Sequence, residues 1–183
     1  MCMPFTFSNL EIPDVIAVEP KVFDDDRGVL IEEYDSDQFS EAGIHVDFQL
    51  DIISRSKTGV IRGLHFQYPP YKQAKLIYCS EGKILDVAVD VRRESKTFGD
   101  YVSLILTEDS YRMLFIPFGF AHGFAVIDGP ARVHYKSSGP YAPNYEAGVR
   151  WDDPIIDVDW PIQSPKLSER DASLPSLQDV ESL

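Results

Sequence analysis

The chain has 183 residues, of which 44% are hydrophobic, and it carries a net charge of −13 at pH 7. This length suits one domain that buries its core without disulfides or metal, and no apolar run reaches the roughly 20 residues of a membrane span. Because the negative charge repels phosphate backbones and anionic lipid, we expect neither nucleic-acid nor membrane partners, and an anionic ligand would need a local cluster of Arg and Lys.

The N-terminal sequence, MCMPFTFSNLEIPD, lacks the basic region followed by an apolar core that marks a secretory signal. We therefore expect a cytoplasmic protein. Its two cysteines, Cys2 and Cys79, are a poor framework for stapling a secreted fold, and we expect both to be reduced.

Short segments that are rich in β-branched and aromatic residues and bounded by turn formers predict about eight strands. In chain order these are 15–23, 28–34, 74–80, 83–92, 100–107, 112–118, 122–128 and 131–138, and VIRGLHFQ (60–67) is also strand-forming. One short helix is predicted in SDQFSEAG, with Ser36 as its N-cap and Gly43 at its end. The polar sequence after residue 163 has the composition of a loose tail. The pattern indicates an all-β sandwich or jelly roll with little helix.

Strand alternation sorts the polar residues by face, because successive side chains point to opposite sides. In VIRGLHFQ it predicts that His65 and Arg62 point in opposite directions. Lys75 is predicted to lie on an inward face. In ARVHYKSS, Tyr135 is predicted to point inward and His134 toward solvent.

A metal site is not expected from the histidines. The chain has four of them, His45, His65, His122 and His134, and no two are separated by a single residue. Jelly rolls that bind a divalent ion usually present clustered imidazoles and a carboxylate, whereas Gln67 stands where a second ligand would follow His65. Convergence of His65 and His122 with a distant carboxylate stays open.

Acid and base chemistry is the alternative to metal chemistry for such side chains. His65 is the candidate base, since an imidazole titrates near the working pH and a carboxylate partner fixes its tautomer. His65 and His122 would fit equally well as hydrogen-bonded polar residues of a sheet.

Other candidates also have ordinary structural explanations. Tyr135 could be a core tyrosine with a satisfied hydroxyl, and Arg62 and Arg27 could be surface charges. Lys75 is harder to dismiss, because an unpaired buried ammonium is costly and is usually kept for a partner or an anionic ligand.

Several motifs occur together in a characteristic order and spacing. They are EPKVFDDDRGVLIE, SRSKTGVIRGLHFQ, QAKLIYCSEGKILDVAVDVRRESKTFG, FIPFGFAHGF, YKSSGPYAPNYEAGVRWDDP, DWPI and LSERD. Through these motifs the chain resembles the dTDP-4-dehydrorhamnose 3,5-epimerase family over nearly its whole length. The resemblance implies a single jelly-roll (cupin-like) domain over residues 1–183, without metal or other cofactor. It also implies a homodimer with an exchanged N-terminal arm, and a C-terminal segment that closes the site.

The resemblance implies a role for each matched residue. His65 is the base, Asp171 of LSERD is its carboxylate partner, Tyr135 is the proton donor on the opposite face of the sugar, and Lys75 stabilises charge at the ketone. The residues that match substrate-binding positions are Arg27, Glu32, Arg62, His122, Tyr141, Glu146 and Arg170.

The expected substrate is a nucleotide-diphosphate sugar, and the expected reaction is epimerisation at C3 and C5 of a dTDP-4-keto-6-deoxyhexose in L-rhamnose-type biosynthesis. The C4 ketone acidifies the neighbouring hydrogens, because the carbanion is delocalised as an enolate. A single-centre 3- or 5-epimerase, and a non-catalytic jelly roll that binds a nucleotide sugar, are the alternatives.

The chain departs from the usual family pattern at three positions. Leu50 and Ile52 of LDIIS stand where the family has amide side chains, and Phe118 stands where an acidic residue is common. We therefore predict an altered preference for the base or the sugar.

Overall fold

The computed structural model describes residues 4–181, which form a nine-stranded sheet, a separate two-stranded hairpin and short helices. The strands are β1 (Phe5–Asn9), β2 (Ile16–Pro20), β3 (Val22–Asp25), β4 (Gly28–Ile31), β5 (Leu50–Ser56), β6 (Ile61–Gln67), β7 (Lys75–Asp90), β8 (Tyr101–Thr107), β9 (Met113–Ile116), β10 (Phe120–Ser137) and β11 (Glu146–Gly148). The helices are α1 (Ser36–Glu41) and α2 (Glu169–Ala172), followed by a 3-10 turn at Leu177–Asp179.

Two long antiparallel strands, β7 and β10, connect the two layers of a sandwich. The first part of β7 pairs with β9 and the second part with β8. Likewise β10 pairs first with β6 and then with β5, while it pairs with β7 along most of its length. Because each long strand changes partners along its length, the sheet folds over into the predicted β-sandwich of the jelly-roll type.

The bends in these strands explain why the prediction divided each of them in two. Turn formers at Gly82 and Pro130 suggested chain reversals, but pairing continues past both residues with shifts of register between Val126 and Val133. A Cβ atom on Gly82 would lie 2.6 Å from the carbonyl oxygen of Asp128, so the bend requires glycine there. Turn formers can therefore mark a kink within a continuous strand.

Other element boundaries also differ from the prediction. The predicted strand 15–23 is divided between β2 and β3, and β1, β5 and β11 were not predicted. Helix α1 is capped by Asp35, not by Ser36, because the Asp35 carboxylate accepts hydrogen bonds from the N–H groups of Asp37 and Gln38. The end of the helix is as predicted, with Gly43 at a φ of +88°.

The hydrophobic core contains the interior of the sandwich and extends beneath the C-terminal segment. Phe124, Leu114 and Val133 are among the fully buried residues between the layers. Leu177 and Val180 are buried in a second cluster, so the segment predicted to be a loose tail is packed against the sheet. Local composition could not reveal this, because the apolar partners of the tail lie far away in sequence.

The hairpin of β3 and β4 pairs with no further strand among residues 4–181. It exposes Val22, Phe23, Val29 and Leu30, which leaves an apolar surface on an otherwise acidic protein. Neither helix in the described part of the chain is long and apolar enough to cross a bilayer. Cys79 is a buried free thiol, whereas Cys2 lies outside the described residues.

Candidate active site

A cavity of about 430 Å³ opens among β5, β6, β7 and β10, beneath the loop after β10 and helix α2. Titratable groups from distant parts of the chain meet in it. The lining residues are Ile52, Ser54, Arg62, His65, Gln73, Lys75, His122, Gly123, Phe124, Tyr135, Tyr141, Glu146, Ser168, Arg170 and Asp171.

His65 on β6 and Asp171 on α2 form a close pair. The His65 Nε2 lies 2.7 Å from the Asp171 Oδ1, and the side chains are 26% and 6% exposed. Burial alone would raise the pKa of Asp171, but the hydrogen bond and charge of His65, with the hydroxyl of Ser168, lower it overall. An ionised Asp171 that accepts from Nε2–H leaves the His65 Nδ1 free to take a proton.

Tyr135 on β10 faces the same cavity, as strand alternation predicted. Its hydroxyl shares a hydrogen bond of 3.3 Å with Ser54, and its ring meets that of His122 edge to face at 5.8 Å. Burial raises the pKa of Tyr135, so the phenol keeps its proton at neutral pH. The residue can therefore donate a proton to a group in the cavity.

Lys75 stands at the start of β7, and its Nζ donates a hydrogen bond of 3.4 Å to the carbonyl oxygen of His65. Burial lowers the pKa of Lys75 to about 8, against the opposing effect of the carboxylates of Glu146 and Asp86. The ammonium form still predominates at pH 7, and it provides a positive charge next to the proposed base.

A second histidine–carboxylate pair lies beneath the cavity, and the sequence did not reveal one of its members. The His122 Nε2 is 2.7 Å from the Asp86 Oδ1, and the two side chains are 5% and 0% exposed. Burial raises the pKa of Asp86, while His122 and Lys75 oppose that effect. The available signal was a carboxylate within the apolar strand sequence KILDVAVDVR, where burial of a charge requires a partner.

Arg62 lines the cavity together with His65, so the prediction that they point to opposite faces is wrong. On β10, His122 is paired with His65 and Phe124 with Arg62, which leaves one extra residue on β6. This bulge reverses the alternation. A Cβ atom on Gly63 would lie 2.5 Å from the Cα of Gly123, so the bulge depends on glycine.

The outer wall carries more of the predicted substrate-binding residues. Arg170 Nη1 forms an ion pair of 2.6 Å with Glu146 Oε2, and it donates a hydrogen bond of 3.4 Å to the Tyr141 hydroxyl. Together with Lys75 and Arg62, Arg170 forms the local cluster of cations that an anionic ligand of this acidic protein requires.

Two predicted residues lie outside this cavity. Arg27 is at the tip of the hairpin, 89% exposed and paired with Asp25 at 2.6 Å, and Glu32 follows β4 on the exposed surface. Within this single chain they are not brought to the other site residues. Of the three departures from the family pattern, Ile52 lines the cavity, whereas Leu50 and Phe118 do not.

A surface cleft of about 510 Å³ at Trp151 and Trp160 is a poorer candidate for an anionic ligand. Its lining includes four aspartates, Asp152, Asp153, Asp157 and Asp159. Within residues 4–181, no three His, Cys, Asp or Glu side chains are grouped closely enough to hold a metal ion.

Comparisons with known proteins give a consistent result. The family model for dTDP-4-dehydrorhamnose 3,5-epimerase matches residues 9–179. The dTDP-4-dehydrorhamnose 3,5-epimerase of Shigella flexneri is 47% identical over 162 residues, covering 88% of this chain and 90% of the relative.

Solved structures agree with the match in sequence. The dTDP-6-deoxy-D-glucose-3,5-epimerase of Legionella pneumophila, in complex with dTDP-4-keto-L-rhamnose, superposes with a TM-score of 0.93 at 37% identity, covering 97% of this chain and 95% of that one. ChmJ, a 3'-monoepimerase from Streptomyces bikiniensis in complex with dTDP-quinovose, superposes with a TM-score of 0.86 at 32% identity, covering 93% and 87%.

Proposed function

The chain belongs to the dTDP-4-dehydrorhamnose 3,5-epimerase family, and from this we propose how its cavity performs the reaction. The protein is an isomerase that epimerises a dTDP-4-keto-6-deoxyhexose at C3 and C5 in deoxysugar biosynthesis. The observation that carries the assignment of roles is the meeting of the His65–Asp171 pair, Lys75 and Tyr135 in one cavity.

The first step is removal of a proton next to the sugar ketone. His65 takes the proton on Nδ1, because Nε2–H is committed to Asp171 at 2.7 Å. The ionised Asp171 then stabilises the imidazolium that forms. The electron pair of the broken C–H bond moves onto the ketone oxygen, so the intermediate is an enolate and no redox cofactor is consumed.

The charge of the enolate needs a preorganised cation. Lys75, held by the His65 carbonyl at 3.4 Å, stabilises a negative oxygen more strongly than it stabilises the neutral ketone. His122, which lines the same cavity and is buried against Asp86, is placed to orient that oxygen.

Inversion requires that the proton returns from the other side of the ring. Tyr135 keeps its phenolic proton because burial raises its pKa. It donates that proton to the carbanion carbon, the enolate collapses to the ketone, and the centre is inverted. The His65 imidazolium then releases its proton to solvent and the Tyr135 phenolate takes one up from solvent, which restores both groups. A second cycle at the other carbon completes the 3,5-epimerisation.

The remaining cations and aromatic groups hold the nucleotide part of the substrate. We assign the diphosphate to Arg62 and Arg170, the two arginines that line the cavity. Tyr141, which is exposed beside Arg170, offers a ring face to the base or the sugar.

A homodimer with exchanged N-terminal arms would account for Arg27 and Glu32. Among residues 4–181 the exposed apolar hairpin has no further strand partner, and β5 pairs with no strand other than β10. Ile53 of β5 is also an exposed apolar residue. We propose that the hairpin packs on a second copy and carries Arg27 and Glu32 to that copy's cavity. Helix α2 closes each site with Asp171. A cytoplasmic location stays a prediction.

Complementation tests this exchange. A His65→Ala chain and an Arg27→Ala chain, each with low activity alone, should form mixed dimers with one intact site, because the His65→Ala chain supplies the missing arginine to its partner. Mixing should therefore restore activity. No gain on mixing, or a monomer in sedimentation equilibrium, would contradict the exchange.

Substrate preference is expected to differ from that of family members with amides near this position. Ile52 is 42% exposed and lines the cavity, where it provides apolar contact but no hydrogen bond. Turnover should be compared across several nucleotide-linked 4-keto sugars for the native chain and an Ile52→Asn variant. Equal selectivity of the two chains would reject a role for Ile52.

Single-centre epimerisation is the second candidate function, supported by the likeness to a 3'-monoepimerase. The deciding experiment is NMR of dTDP-4-keto-6-deoxyglucose incubated with the enzyme in heavy water. A 3,5-epimerase incorporates deuterium and inverts configuration at both carbons, whereas a single-centre enzyme inverts one. If deuterium enters neither carbon, the chain is a binding protein and the catalytic assignment fails.

A further inference from the structure

Gln67 and Gln73 have no role in the chemistry described above. Gln67 is the last residue of β6, and Gln73 lies in the connection from β6 to β7. Gln67 is 4% exposed, and Gln73 lines the cavity. A buried amide is costly unless both its N–H groups and its oxygen find partners. Apart from the Tyr71 carbonyl, the hydrogen-bond partners of these two amides lie in one short segment, residues 139–142.

The Gln67 amide is bonded to two loops. Its Nε2 donates hydrogen bonds of 2.6 Å to the Tyr71 carbonyl and 3.1 Å to the Pro140 carbonyl. Its oxygen accepts a bond of 2.8 Å from the N–H of Ala142. The backbone of Gln67 is also paired with Glu146, the first residue of β11.

Gln73 holds the same loop from the side of β7. Its Nε2 donates hydrogen bonds of 3.0 Å to the Gly139 carbonyl and 2.9 Å to the Pro140 carbonyl. The Pro140 carbonyl therefore accepts from both glutamines, and it is the point where the two side chains are linked.

The segment 138–145 needs such external support because of its sequence, SGPYAPNY. Its two prolines lack an N–H group and cannot take part in a regular ladder of hydrogen bonds. The segment nevertheless carries Tyr141 into the cavity and leads directly to Glu146, the ion-pair partner of Arg170. The position of the 138–145 segment therefore determines where Tyr141 and Glu146 line the cavity.

We propose that Gln67 and Gln73 are positioning residues that hold the 138–145 segment in its binding conformation and so determine substrate affinity. This inference rests on the proposed function, in which Tyr141 contacts the substrate and Arg170, the ion-pair partner of Glu146, holds its diphosphate. Neither glutamine has a hydrogen bond to His65, Asp171, Lys75 or Tyr135 among those of residues 4–181. The effect therefore falls on KM and leaves kcat in place.

The principal test is Gln73→Met, which keeps the length of the side chain and removes both hydrogen bonds. KM for dTDP-4-keto-6-deoxyglucose and the calorimetric Kd for dTDP should each rise about tenfold, as expected for two neutral hydrogen bonds that preorganise a binding wall. Gln38→Met is the matched control. Gln38 is also half-buried and bonded to a neighbouring side chain, Asp35, but it lies in α1, away from the cavity, and its variant should keep both constants.

Gln67→Met adds a readout that needs no ligand. The Ala142 N–H donates to the Gln67 side chain, and this hydrogen bond slows its exchange with solvent. In the variant the bond is absent and the segment opens locally more often, so the exchange of this N–H should become at least about tenfold faster. Because both amides meet at Pro140, the double variant should raise the Kd for dTDP by less than the product of the two single effects. If Gln67→Met does not fold, Gln73→Met decides alone.

The results separate this proposal from the proposed reaction. Unchanged KM and Kd in Gln73→Met would overturn the positioning role. A loss of kcat at constant KM would also overturn it, because that is the result expected when a structural defect only lowers the amount of active enzyme. If the native chain binds dTDP but epimerises nothing, the reaction fails while the weakened binding of Gln73→Met still supports the positioning role.

Discussion

His65 and Asp171 are 106 residues apart in sequence, yet their side chains meet at 2.7 Å through a four-residue helix laid across the end of the sheet. The backbone of Asp171 is held by the N-cap of the helix, because the Ser168 hydroxyl accepts from the Asp171 N–H at 3.0 Å. The carboxylate partner of the proposed base is thus supplied by a segment whose composition gave no indication of order.

Removal of either partner should impair proton abstraction, and removal of His65 should abolish it. Asp171→Asn keeps the shape but offers His65 a neutral amide, so kcat should fall about 10²- to 10⁴-fold, the usual contribution of positioned acid–base catalysis. His65→Ala should lose deuterium exchange altogether. Calorimetry should show that both variants still bind dTDP. A His65→Ala variant with native turnover would refute the assignment of the base.

Tyr135→Phe should separate exchange from inversion. His65 can still remove a proton, exchange it with solvent and return it to the same face, but the donor on the other face is missing. NMR in heavy water should show deuterium at C3 or C5 with little inverted product. Ser54→Ala, which removes the 3.3 Å bond to the phenol but keeps the phenol itself, is the control and should still invert. Parallel loss of exchange and inversion in Tyr135→Phe would contradict the division of roles.

The pH profile should report on Lys75. In the proposed mechanism the ammonium form of Lys75 is the active one. Because burial lowers its pKa to about 8, kcat/KM should decline as the pH rises through about 8. In Lys75→Arg the side chain stays protonated, since a guanidinium titrates above about 12. The alkaline decline should therefore disappear in whatever activity remains. A decline at unchanged pH in Lys75→Arg would show that another group controls it.

Asp86 should influence the same profile from beneath the cavity. Its charge favours the protonated form of Lys75, so Asp86→Asn should lower the pKa of Lys75 further and move the alkaline decline to lower pH. The substitution also weakens the 2.7 Å contact with His122. Asp153→Asn is the matched control, because Asp153 is equally buried but accepts from the backbone of Leu177, outside the cavity. A shift of similar size in that control would mean that general destabilisation moves the profile.

The packed C-terminal segment should be needed for stability. Leu177 is buried among the residues of the second core cluster. Leu177→Ala should lower the free energy of unfolding by about 2 to 5 kcal/mol, as for other large-to-small substitutions in cores. Thermal denaturation followed by circular dichroism measures the loss, with the exposed neighbour Gln178→Ala as control. Equal melting temperatures for the two variants would mean that the segment adds little to the fold.

Local pattern was enough for the all-β class and for several strand positions. Period-two alternation and turn formers are read within a few residues, and they placed Tyr135 toward the interior correctly. The same rule failed at Arg62, because a single extra residue at Gly63–Leu64 reverses every later side chain. The bulge depends on pairing with a strand that lies about 60 residues away in sequence, so no local pattern predicts it.

The amino-acid sequence by itself determined the fold class and, through motifs that occur in a characteristic order, the candidate residues of the site. Tertiary structure alone decided how they meet. In the folded chain Asp86 contacts His122, and Asp171 of the C-terminal segment contacts His65. Arg27 on the hairpin and Glu32 directly after it lie outside the cavity. The physical reason is that burial and close approach, which set pKa values and pair acids with bases, depend on contacts between segments that are remote in sequence.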